Sequence, residues 1–316
     1  MVDEATQADG LALPVDFGAR YGAGQRRALV LGGGGVVAVT WQIAYLDELT
    51  NLGLDLRTAD LLVGTSAGSI VCSCLALGRV STAAKAITLF SKAPSLVSAM
   101  APTSNFKPSQ ARAVKLFRES GQSDLETVRE IGRAALAAAT PSMSHLPRAL
   151  FAMLRTRAWG SRGLRIVTTD AYTGERVVLS HRSGVAVTRA AAASASVPGI
   201  FAPQQIGDRK CVDGGVCGSA TNSDVVAGAQ RVLVLPLADG VPEPGMFCQR
   251  PDSLRLELDQ LAASGSAVEL RVPELSILGD SGTASLMDPG HIPVAVQAAR
   301  AQAARDVSDL REFWLA

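Results

Sequence analysis

Four consecutive glycines, Gly32–Gly35, lie between an apolar run and a segment of helical periodicity in "ALVLGGGGVVAVTWQIAYLDEL", residues 28–49. Such a run costs conformational entropy on folding and weakens any strand or helix that contains it. The chain therefore uses bare backbone here, either to turn sharply or to let another group approach closely. The apolar run before it predicts a buried strand, and the segment after it, which ends at Gly53, predicts a helix.

The plan of strand, glycine turn and helix recurs in "ADLLVGTSAGSIVCSCLALG", residues 59–78, where the strand runs through Val63. Helices are predicted over most of 81–160, within 185–201 up to Pro198, and over 292–314. Further strands are predicted from "GLRIVTTDAYTGERVVLS", "RKCVDGGV", "QRVLVLPLA" and "AVELRVPE". Strands that alternate with helices predict an α/β fold with a layered sheet.

The composition is that of a globular protein with enough apolar residues for a sizeable core. Of the 316 residues, 47% are hydrophobic and 19% are charged, and the formal net charge is +1. Only 4% are aromatic, and no basic stripe with interleaved aromatic residues occurs. We therefore expect no nucleic acid partner.

Cysteine and histidine contents argue against a disulfide framework and a metal site. The five cysteines include no C-x-x-C pair, and there are three histidines. This pattern favours a reducing compartment, with small apolar packing for Cys72, Cys74, Cys211 and Cys217. The N-terminus has no apolar core of a signal peptide, so residues 1–25 are expected to form a flexible leader of a cytoplasmic protein. No uninterrupted apolar run reaches the length of about 18 residues that suggests a membrane span.

The second glycine turn, "GTSAG" from Gly64 to Gly68, lies between a predicted strand and a predicted helix. In a G-x-S-x-G turn of this context, the serine hydroxyl is exposed at a helix N-terminus, which favours developing negative charge. The glycines allow the sharp turn and the close packing of strand and helix. Ser66 is therefore a candidate nucleophile, and the alternative is a turn of small residues with a serine N-cap.

The first glycine turn fits the same chemistry. A serine that attacks an acyl carbon creates an oxyanion, and the bare N–H groups of a glycine run are suitable donors for it. The rival interpretation is a dinucleotide-binding loop, since Gly33 and Gly35 form a G-x-G. Ala38 stands at the third glycine position, however, and neither Asp55 nor Asp60 fits the acidic position of that fingerprint well.

A serine nucleophile needs a base, and "VDGGV" supplies a carboxylate at another predicted strand end. Asp213 in this segment can accept the serine proton directly. Asp-Gly alone is a common turn sequence, but beside the other two clusters Asp213 is a candidate base. The alternative is a triad completed by His291, because Ser66, Asp213 and His291 follow the chain order of α/β-hydrolases.

Three blocks in this order, "GGGGVVA", "GTSAGSIV" and "ASVPGIFAPQQIGDRKCVDGG", resemble the patatin-like phospholipases of bacteria. The resemblance implies a three-layer α/β/α fold with a central, mostly parallel sheet. It implies a single catalytic domain over 26–316, with 81–160 as a helical insertion or cap. It also implies a lipid or ester substrate, a Ser–Asp dyad without histidine, and no metal or organic cofactor.

The resemblance also implies a role for each motif. Ser66 becomes the nucleophile and Asp213 the base of a phospholipase A, lysophospholipase or carboxylesterase that works through an acyl-enzyme. The glycines implied for the oxyanion hole are Gly33, Gly34 and Gly35, and the supporting glycines are Gly64, Gly68, Gly214 and Gly215.

The glycine loop departs from the family pattern at one point. The family places a basic residue and a glycine where this chain has Val37 and Ala38. Backbone donors survive this change, but attraction of a charged head group is weakened. This favours a general acyl-ester hydrolase over a phospholipase, and it leaves a lipid-binding protein without turnover as an alternative. Asn222 lies farther from D-G-G than the family asparagine, so we assign it no role.

The segment "SHLPRALFAMLRTRAW", residues 144–159, mixes apolar and basic residues. One interpretation is a helix that lies on a membrane surface or covers an acyl pocket, which predicts a peripheral membrane contact. The other is an ordinary amphipathic helix packed on the sheet. The residues that define the pattern are Leu146, Arg148, Leu150, Phe151, Leu154, Arg155 and Arg157.

Overall fold

The computed structural model describes residues 12–90, 105–120, 124–237, 252–274, 277 and 286–316. The strands in these ranges are β1 (Arg27–Leu31), β2 (Leu61–Thr65), β3 (Leu164–Asp170), β4 (Arg176–Leu179), β5 (Gln204–Ile206), β6 (Arg209–Asp213), β7 (Arg231–Leu235) and β8 (Ala267–Leu270). The α-helices are α1 (Gly35–Asn51), α2 (Ala67–Ala76), α3 (Val80–Phe90), α4 (Pro108–Glu119), α5 (Leu125–Ala137), α6 (His145–Leu154), α7 (Val187–Ser194), α8 (Ser253–Ala263) and α9 (Ile292–Leu315).

The described strands form one sheet in the order β5–β6–β3–β2–β1–β7–β8, and β4 pairs with β3. The pairs that join β3, β2, β1, β7 and β8 are all parallel. β4, β5 and β6 extend the sheet in antiparallel pairs. The predicted α/β class with a central, mostly parallel sheet is confirmed.

Both faces of the sheet are covered, as buried parallel strands require. Alternate residues of β1 point to opposite faces. Leu29 and Leu31 pack in a large core with α1, α2, α3, α6, α7 and α9. Ala28 and Val30 pack in a second core with α8 and the turn at 225–229. The sheet is therefore the middle layer of three.

Two strands meet end to end along one edge of β3. Thr65, at the end of β2, pairs with Val167. The next residue of β3, Thr168, pairs with Asp213 at the end of β6. Since Val167 and Thr168 also pair with β4, that strand occupies the opposite edge. β2 and β6 run in opposite directions, so their carboxyl ends face each other and bring the turns after Thr65 and Asp213 together.

The helix that follows the glycine loop is anchored by α9. The rings of Trp41 and Tyr45 on α1 stack with their centroids 5.1 Å apart. Trp41 Nε1 donates to Gln302 Oε1 at 3.2 Å. Tyr45 OH donates to Asp306 Oδ2 at 2.7 Å. These contacts fix α1 and, with it, the loop from which α1 begins.

Residues 12–25, part of the predicted leader, contact the sheet in this structure. Arg176 of β4 donates through Nε to the carbonyl of Leu13 at 2.9 Å. It donates through Nη2 to the carbonyl of Pro14 at 2.8 Å. Residues 1–11 of the predicted leader lie outside the described residues.

The 81–160 region, predicted as a helical insertion or cap, contains α4, α5, α6 and most of α3 in its described part. α4 and α5 pack on the end of β6. α6 packs against α7, and its Leu150 and Leu154 are buried in the main core. Residues 91–104 and 121–123 of this region lie outside the described residues.

Candidate active site

Ser66 lies in the turn between β2 and α2, in the strand–turn–helix context that the sequence predicts. Its φ of 52° and ψ of −119° are strained for a residue that carries a side chain. The Ser66 N–H donates to Ser194 Oγ at 2.8 Å, and Ser69 Oγ donates to the Ser66 carbonyl at 2.6 Å. Ser66 is 8% exposed, and its Oγ donates to Asp213 Oδ2 at 2.6 Å.

Gly64 and Gly68 are required by close packing around this turn. A Cβ on Gly68 would lie 1.9 Å from the carbonyl oxygen of Leu31, because α2 begins against the end of β1. A Cβ on Gly64 would lie 2.5 Å from Ser69 Cα. Both distances are far below van der Waals contact, so a side chain at either position would push β1, β2 and α2 apart.

Asp213 ends β6 and is 2% exposed. Its Oδ2 accepts from Ser66 Oγ, and its Oδ1 accepts from the Gly215 N–H at 2.8 Å. Burial raises the pKa of Asp213 from 3.8 to about 6, against these two hydrogen bonds, which favour the charged form. A Cβ on Gly214 would lie 2.3 Å from the Val167 carbonyl oxygen, so this turn requires glycine to pass β3.

The glycine loop lies beside Ser66. A Cβ on Gly33 would lie 3.2 Å from Ser66 Cβ and 3.9 Å from Ser66 Oγ. The Gly33 N–H donates to the Ala220 carbonyl at 3.0 Å. The N–H groups of Gly34 and Gly35, at the start of α1, make no hydrogen bond to a described residue. The loop therefore leaves these two donors available near the serine.

The shape of the loop depends on glycine conformations and on a buried amide. Gly34 has a φ of 137° and Gly35 a φ of 65°, which favour glycine at both positions. Gln42 Nε2 donates to the carbonyls of Gly32 and Leu235 at 3.0 and 2.9 Å. Sequence reasoning missed Gln42, and the available signal is a polar residue among apolar ones on α1.

Val37, at the position where the family has a basic residue, is fully buried in the main core. Its N–H donates to the Leu286 carbonyl at 3.1 Å. Met287 packs next to the loop, since a Cβ on Gly35 would lie 2.6 Å from Met287 Sδ. In this chain, position 37 therefore does not present a side chain to the serine, and Leu286 and Met287 cover part of the loop.

An apolar cluster flanks the site and is built around the buried side chains of Ile200 and Phe201. The partly buried residues packed against them are Phe106, Val114, Leu146, Val197 and Met287. The cluster reaches the site through Met287, which lies against Gly35. It also reaches the site through Ser196, the residue before Val197, because the Ser196 carbonyl accepts the Asp213 N–H at 3.0 Å.

Asn222 connects the serine turn to a buried ion pair. Its Nδ2 donates to Thr65 Oγ1 at 3.0 Å, and its Oδ1 accepts from Arg176 Nη1 at 3.4 Å. Arg176 pairs with Asp224 through two hydrogen bonds of 2.5 and 2.7 Å. Sequence reasoning gave Asn222 no role and missed Arg176, because a lone arginine in a short strand is typical of a residue that faces solvent.

His291 makes its contacts elsewhere. Its Nδ1 lies 3.1 Å from the Ile277 carbonyl oxygen, and its Nε2 lies 4.0 Å from Asp288 Oδ2. Within the described residues, the hydrogen bonds of the Ser66 and Asp213 side chains do not involve a histidine. The geometry therefore favours a dyad over a triad.

The cysteines of the described ranges are free thiols. Burial raises the pKa of Cys74 and Cys211 to about 12 and that of Cys217 to about 11. Burial also raises the pKa of Cys72. Such thiols are not ionised at neutral pH, so they are not nucleophiles. Cys248 lies outside the described residues.

The described part of the chain contains neither a cluster of metal-ligating side chains nor a membrane-spanning helix. No group of three or more His, Cys, Asp or Glu side chains in it is arranged to hold a metal ion. No helix in it combines the length and the apolar character needed to cross a bilayer.

Comparisons with known proteins identify the family. A family model described as patatin-like phospholipase matches residues 29–223, which is more than half of the chain. A search of curated proteins gave no match. The solved structures that match include two at low identity. VipD from Legionella pneumophila is 12% identical, with a TM-score of 0.36, over 91% of this chain and 68% of that one.

The second structure is the type III effector protein ExoU, which is 14% identical with a TM-score of 0.31. That match covers 88% of this chain and 53% of ExoU, so the chain spans about half of its length. The matched family model includes the glycine loop, the Ser66 turn and the Asp213 turn. The chain therefore belongs to the patatin-like phospholipase family.

Proposed function

We propose that this protein is a lipid acyl hydrolase that cleaves carboxylic esters with a Ser66–Asp213 dyad. Membership in the family supports hydrolysis of lipid esters in general. The observation that carries the dyad is the 2.6 Å hydrogen bond from Ser66 Oγ to Asp213 Oδ2, which joins two nearly buried side chains at a strained turn.

In the first step, Asp213 takes the hydroxyl proton of Ser66 as Oγ attacks the ester carbonyl carbon. The carbonyl π electrons move to oxygen, and collapse of this oxyanion expels the alcohol, which takes the proton from Asp213. A carboxyl with a pKa of about 6 is mostly ionised at neutral pH and is a stronger base than an ordinary aspartate. Burial of Asp213 therefore supports its role as the base.

The oxyanion is proposed to bind the N–H groups of Gly34 and Gly35. These donors lie at the N-terminus of α1, whose dipole favours negative charge. Loss of one such donor typically costs about 3 kcal/mol of transition-state stabilisation. Gly33 was expected to be a third donor, but its N–H is bonded to Ala220. We propose that Gly33 serves instead by having no side chain, which leaves space beside Ser66.

In the second step, Asp213 accepts a proton from water as the water oxygen attacks the acyl-enzyme carbonyl. Collapse of the second oxyanion breaks the bond to Ser66 Oγ, which takes the proton back and releases the fatty acid. The same residues would transfer the acyl group to an alcohol if that alcohol replaced water.

We propose that the apolar cluster around Ile200 and Phe201 binds the acyl chain of the substrate beside the dyad. Met287 belongs to this cluster and lies against Gly35, so a chain along the cluster would have its carbonyl near the proposed oxyanion donors. We expect kcat/KM for p-nitrophenyl esters to rise as the acyl chain lengthens from acetyl. A series of such esters, followed by phospholipids, measures this preference.

The proposal is tested by covalent labelling with a fluorophosphonate probe. Wild-type protein should be labelled, and Ser66→Ala should abolish labelling and ester hydrolysis. Asp213→Asn should reduce both by orders of magnitude. Ser73→Ala is the matched control, since Ser73 is a buried serine of α2 that donates to the Ser69 carbonyl and does not contact the dyad.

Two outcomes would contradict the proposal. A folded, monodisperse wild-type protein that is not labelled would favour the alternative of a lipid-binding protein without turnover. Loss of hydrolysis in a folded His291→Ala variant would favour the triad.

A further inference from the structure

A cleft lies between α3 and α6 and has a volume of about 500 Å³. Its walls are small or apolar side chains, and two guanidinium groups line it. The lining residues that matter here are Arg79, Thr82, Ala83, Ala152, Met153 and Arg155. The proposed mechanism gives this cleft no role.

The two arginines have no counter-charge within the described residues. Neither guanidinium forms an ion pair or a hydrogen bond with a described side chain or carbonyl. Arg155 has a φ of 55° at the end of α6, a position where glycine is the residue favoured by the backbone. Two unpaired guanidinium groups beside alanine and methionine side chains are suited to an anion.

The helices that form the cleft carry basic residues and no acidic ones. The sequence contains no Asp or Glu in residues 61–118, which include α3, or in residues 141–169, which include α6. Those two segments together contain twelve Lys and Arg residues. Arg112 and Lys115 are paired with Glu130 and Glu119, but α3 and α6 themselves contribute no carboxylate beside the two cleft arginines.

An exposed apolar side chain of each helix lies near the cleft. Leu89 of α3 is 67% exposed and lies three residues after Ala86, which lines the cleft. Phe151 of α6 is 44% exposed and directly precedes Ala152, which lines the cleft, so it projects beside the cleft rather than into it. Residues three and four apart are neighbours on a helix surface. The anion site therefore has apolar groups beside it, which suit the boundary between head groups and acyl chains.

The cleft is separate from the active site. Ser66 precedes the first residue of α2, and Arg79 follows the last turn of the same helix. A helix of this length separates its two ends by about 15 Å. A phosphate held at Arg79 therefore does not touch the dyad.

We propose that this cleft binds the phosphate head group of an anionic phospholipid and thereby holds the protein at a lipid surface. The phosphate lies between Arg79 and Arg155, and Leu89 and Phe151 contact the lipid around it. This assignment does not depend on the Ser66–Asp213 chemistry.

The test compares two pairs of substitutions with the same change in charge. Arg79→Gln/Arg155→Gln removes the two cleft arginines. Lys85→Gln/Arg148→Gln removes two exposed basic residues from the same helices outside the cleft. Each full-length protein is sedimented with phosphatidylcholine vesicles that contain or lack phosphatidylglycerol. We expect the cleft pair to weaken binding to phosphatidylglycerol vesicles at least tenfold more than the control pair.

Hydrolysis of a short soluble ester should be unchanged in both pairs, which checks that they fold. Ser66→Ala should keep wild-type vesicle binding, so failure of the catalytic proposal is distinguishable from failure of this one. Equal losses in the two pairs, or no loss in the cleft pair, would overturn the site. Binding of glycerol 3-phosphate that the cleft pair abolishes, with unchanged vesicle binding, would reassign the cleft to a free phosphate ester and overturn the lipid assignment.

Discussion

Asp213 is a buried carboxylate whose polar partners are neutral. Its hydrogen bonds come from a hydroxyl and an amide, and it has no ion pair to a described cation. The cost of removing the carboxylate from water therefore dominates, and its pKa rises to about 6. A guanidinium in the same place would have lowered the pKa and weakened the base. Two consequences for pH follow from this arrangement.

Hydrolysis should follow the ionised fraction of Asp213. For a short soluble ester, kcat/KM is expected to rise about tenfold per pH unit below a pKa of about 6 and to level off above it. A pH–rate profile of the wild-type protein measures this. A profile that falls as the pH rises through this range, or that stays flat down to about pH 4, would contradict the base role.

The free energy of unfolding should change with pH in the opposite direction to the rate of hydrolysis. The folded-state pKa of Asp213 is raised above 3.8, so ionisation favours the unfolded chain, and the stability present below about pH 4 is lost as the pH rises through about 6. The full loss corresponds to about 3 kcal/mol. Asp213→Asn removes this titration.

Asp213→Asn should therefore be more stable relative to wild type at alkaline pH than at acidic pH, although it is inactive. Denaturant unfolding of both proteins at about pH 4.5 and at about pH 8 measures the free energies of unfolding. The same difference between the two proteins at both pH values would contradict the burial of an ionised Asp213.

Single residues were predictable where the signal is local. Ser66 and Asp213 could be selected because each stands in a glycine turn whose sequence carries the information. Gln42 and Asn222 could not, because their role depends on partners from distant segments. Asn222 meets Thr65 across 157 positions of sequence, and Gln42 meets Leu235 across 193.

At the scale of elements, α6 combines both interpretations of the 144–159 segment. Leu150 and Leu154 are buried in the main core, as an ordinary amphipathic helix requires. Phe151 is exposed, and the Arg157 guanidinium lies 5.6 Å from the centroid of its ring. Contact of α6 with a membrane surface would therefore involve Phe151 and the basic residues, because the rest of the apolar face is buried.

Phe151→Ser should weaken binding to phosphatidylglycerol vesicles several-fold and leave Tm and the hydrolysis of a short ester unchanged. Val294→Ser is a matched control, because Val294 is 50% exposed on α9. Leu150→Ser should instead destabilise the fold by about 3 kcal/mol, since it leaves a cavity and buries a hydroxyl. Equal vesicle binding by Phe151→Ser and Val294→Ser would leave α6 as an ordinary packed helix.

Elements with a clear period were predictable, and those with a mixed period were not. β1, β2 and β7 are short buried strands that follow directly from apolar runs. α8 was missed because Leu254, Leu256 and Leu258 alternate with polar residues, which is the period of a strand. β5 has three residues and is held by its hairpin partner β6.

The end of α7 was predicted too late. The helix was expected to continue to Pro198, but it ends at Ser194. The Ser194 hydroxyl donates to the Val167 carbonyl at 2.5 Å and also accepts the Ser66 N–H. After the helix, the Ser196 carbonyl accepts the Asp213 N–H instead of a helical N–H.

At the scale of the whole molecule, a buried ion pair joins the sheet, the 12–25 segment and the turn beside the active site. Arg176 and Asp224 are almost completely buried, and Arg176 also donates to Leu13 and Pro14. Arg176→Met should leave the buried Asp224 carboxylate without its counter-charge and lower the free energy of unfolding by about 3–5 kcal/mol.

The double variant Arg176→Met/Asp224→Leu should recover much of that stability, because no isolated charge remains in it. Denaturant unfolding of the two variants and the wild type measures the effect. A single variant as stable as the wild type would show that the pair is not essential to the folded state.

The layered α/β architecture followed from the alternation of strand and helix patterns, but the meeting of β2 and β6 did not. Local periodicity does not encode which strands share an edge of β3. Ser66 and Asp213 are 147 positions apart in the sequence, and their contact results from registers that β3 sets for both strands. Recognition of the family supplied the pairing that the pattern alone left open.

Because β2 and β6 meet end to end, hydrolysis should be more sensitive than secondary structure to small changes in how these strands pack. In the described residues no ladder joins the two strands, so the spacing of nucleophile and base depends on the shared strand β3 and on the end of α7, where Ser194 binds the Ser66 N–H and Ser196 binds the Asp213 N–H. A low denaturant concentration that loosens β6 but leaves most helices folded would separate the Ser66 hydroxyl from the Asp213 carboxylate and abolish hydrolysis. Turnover should thus fade at lower denaturant concentrations than the far-ultraviolet circular dichroism of the same sample.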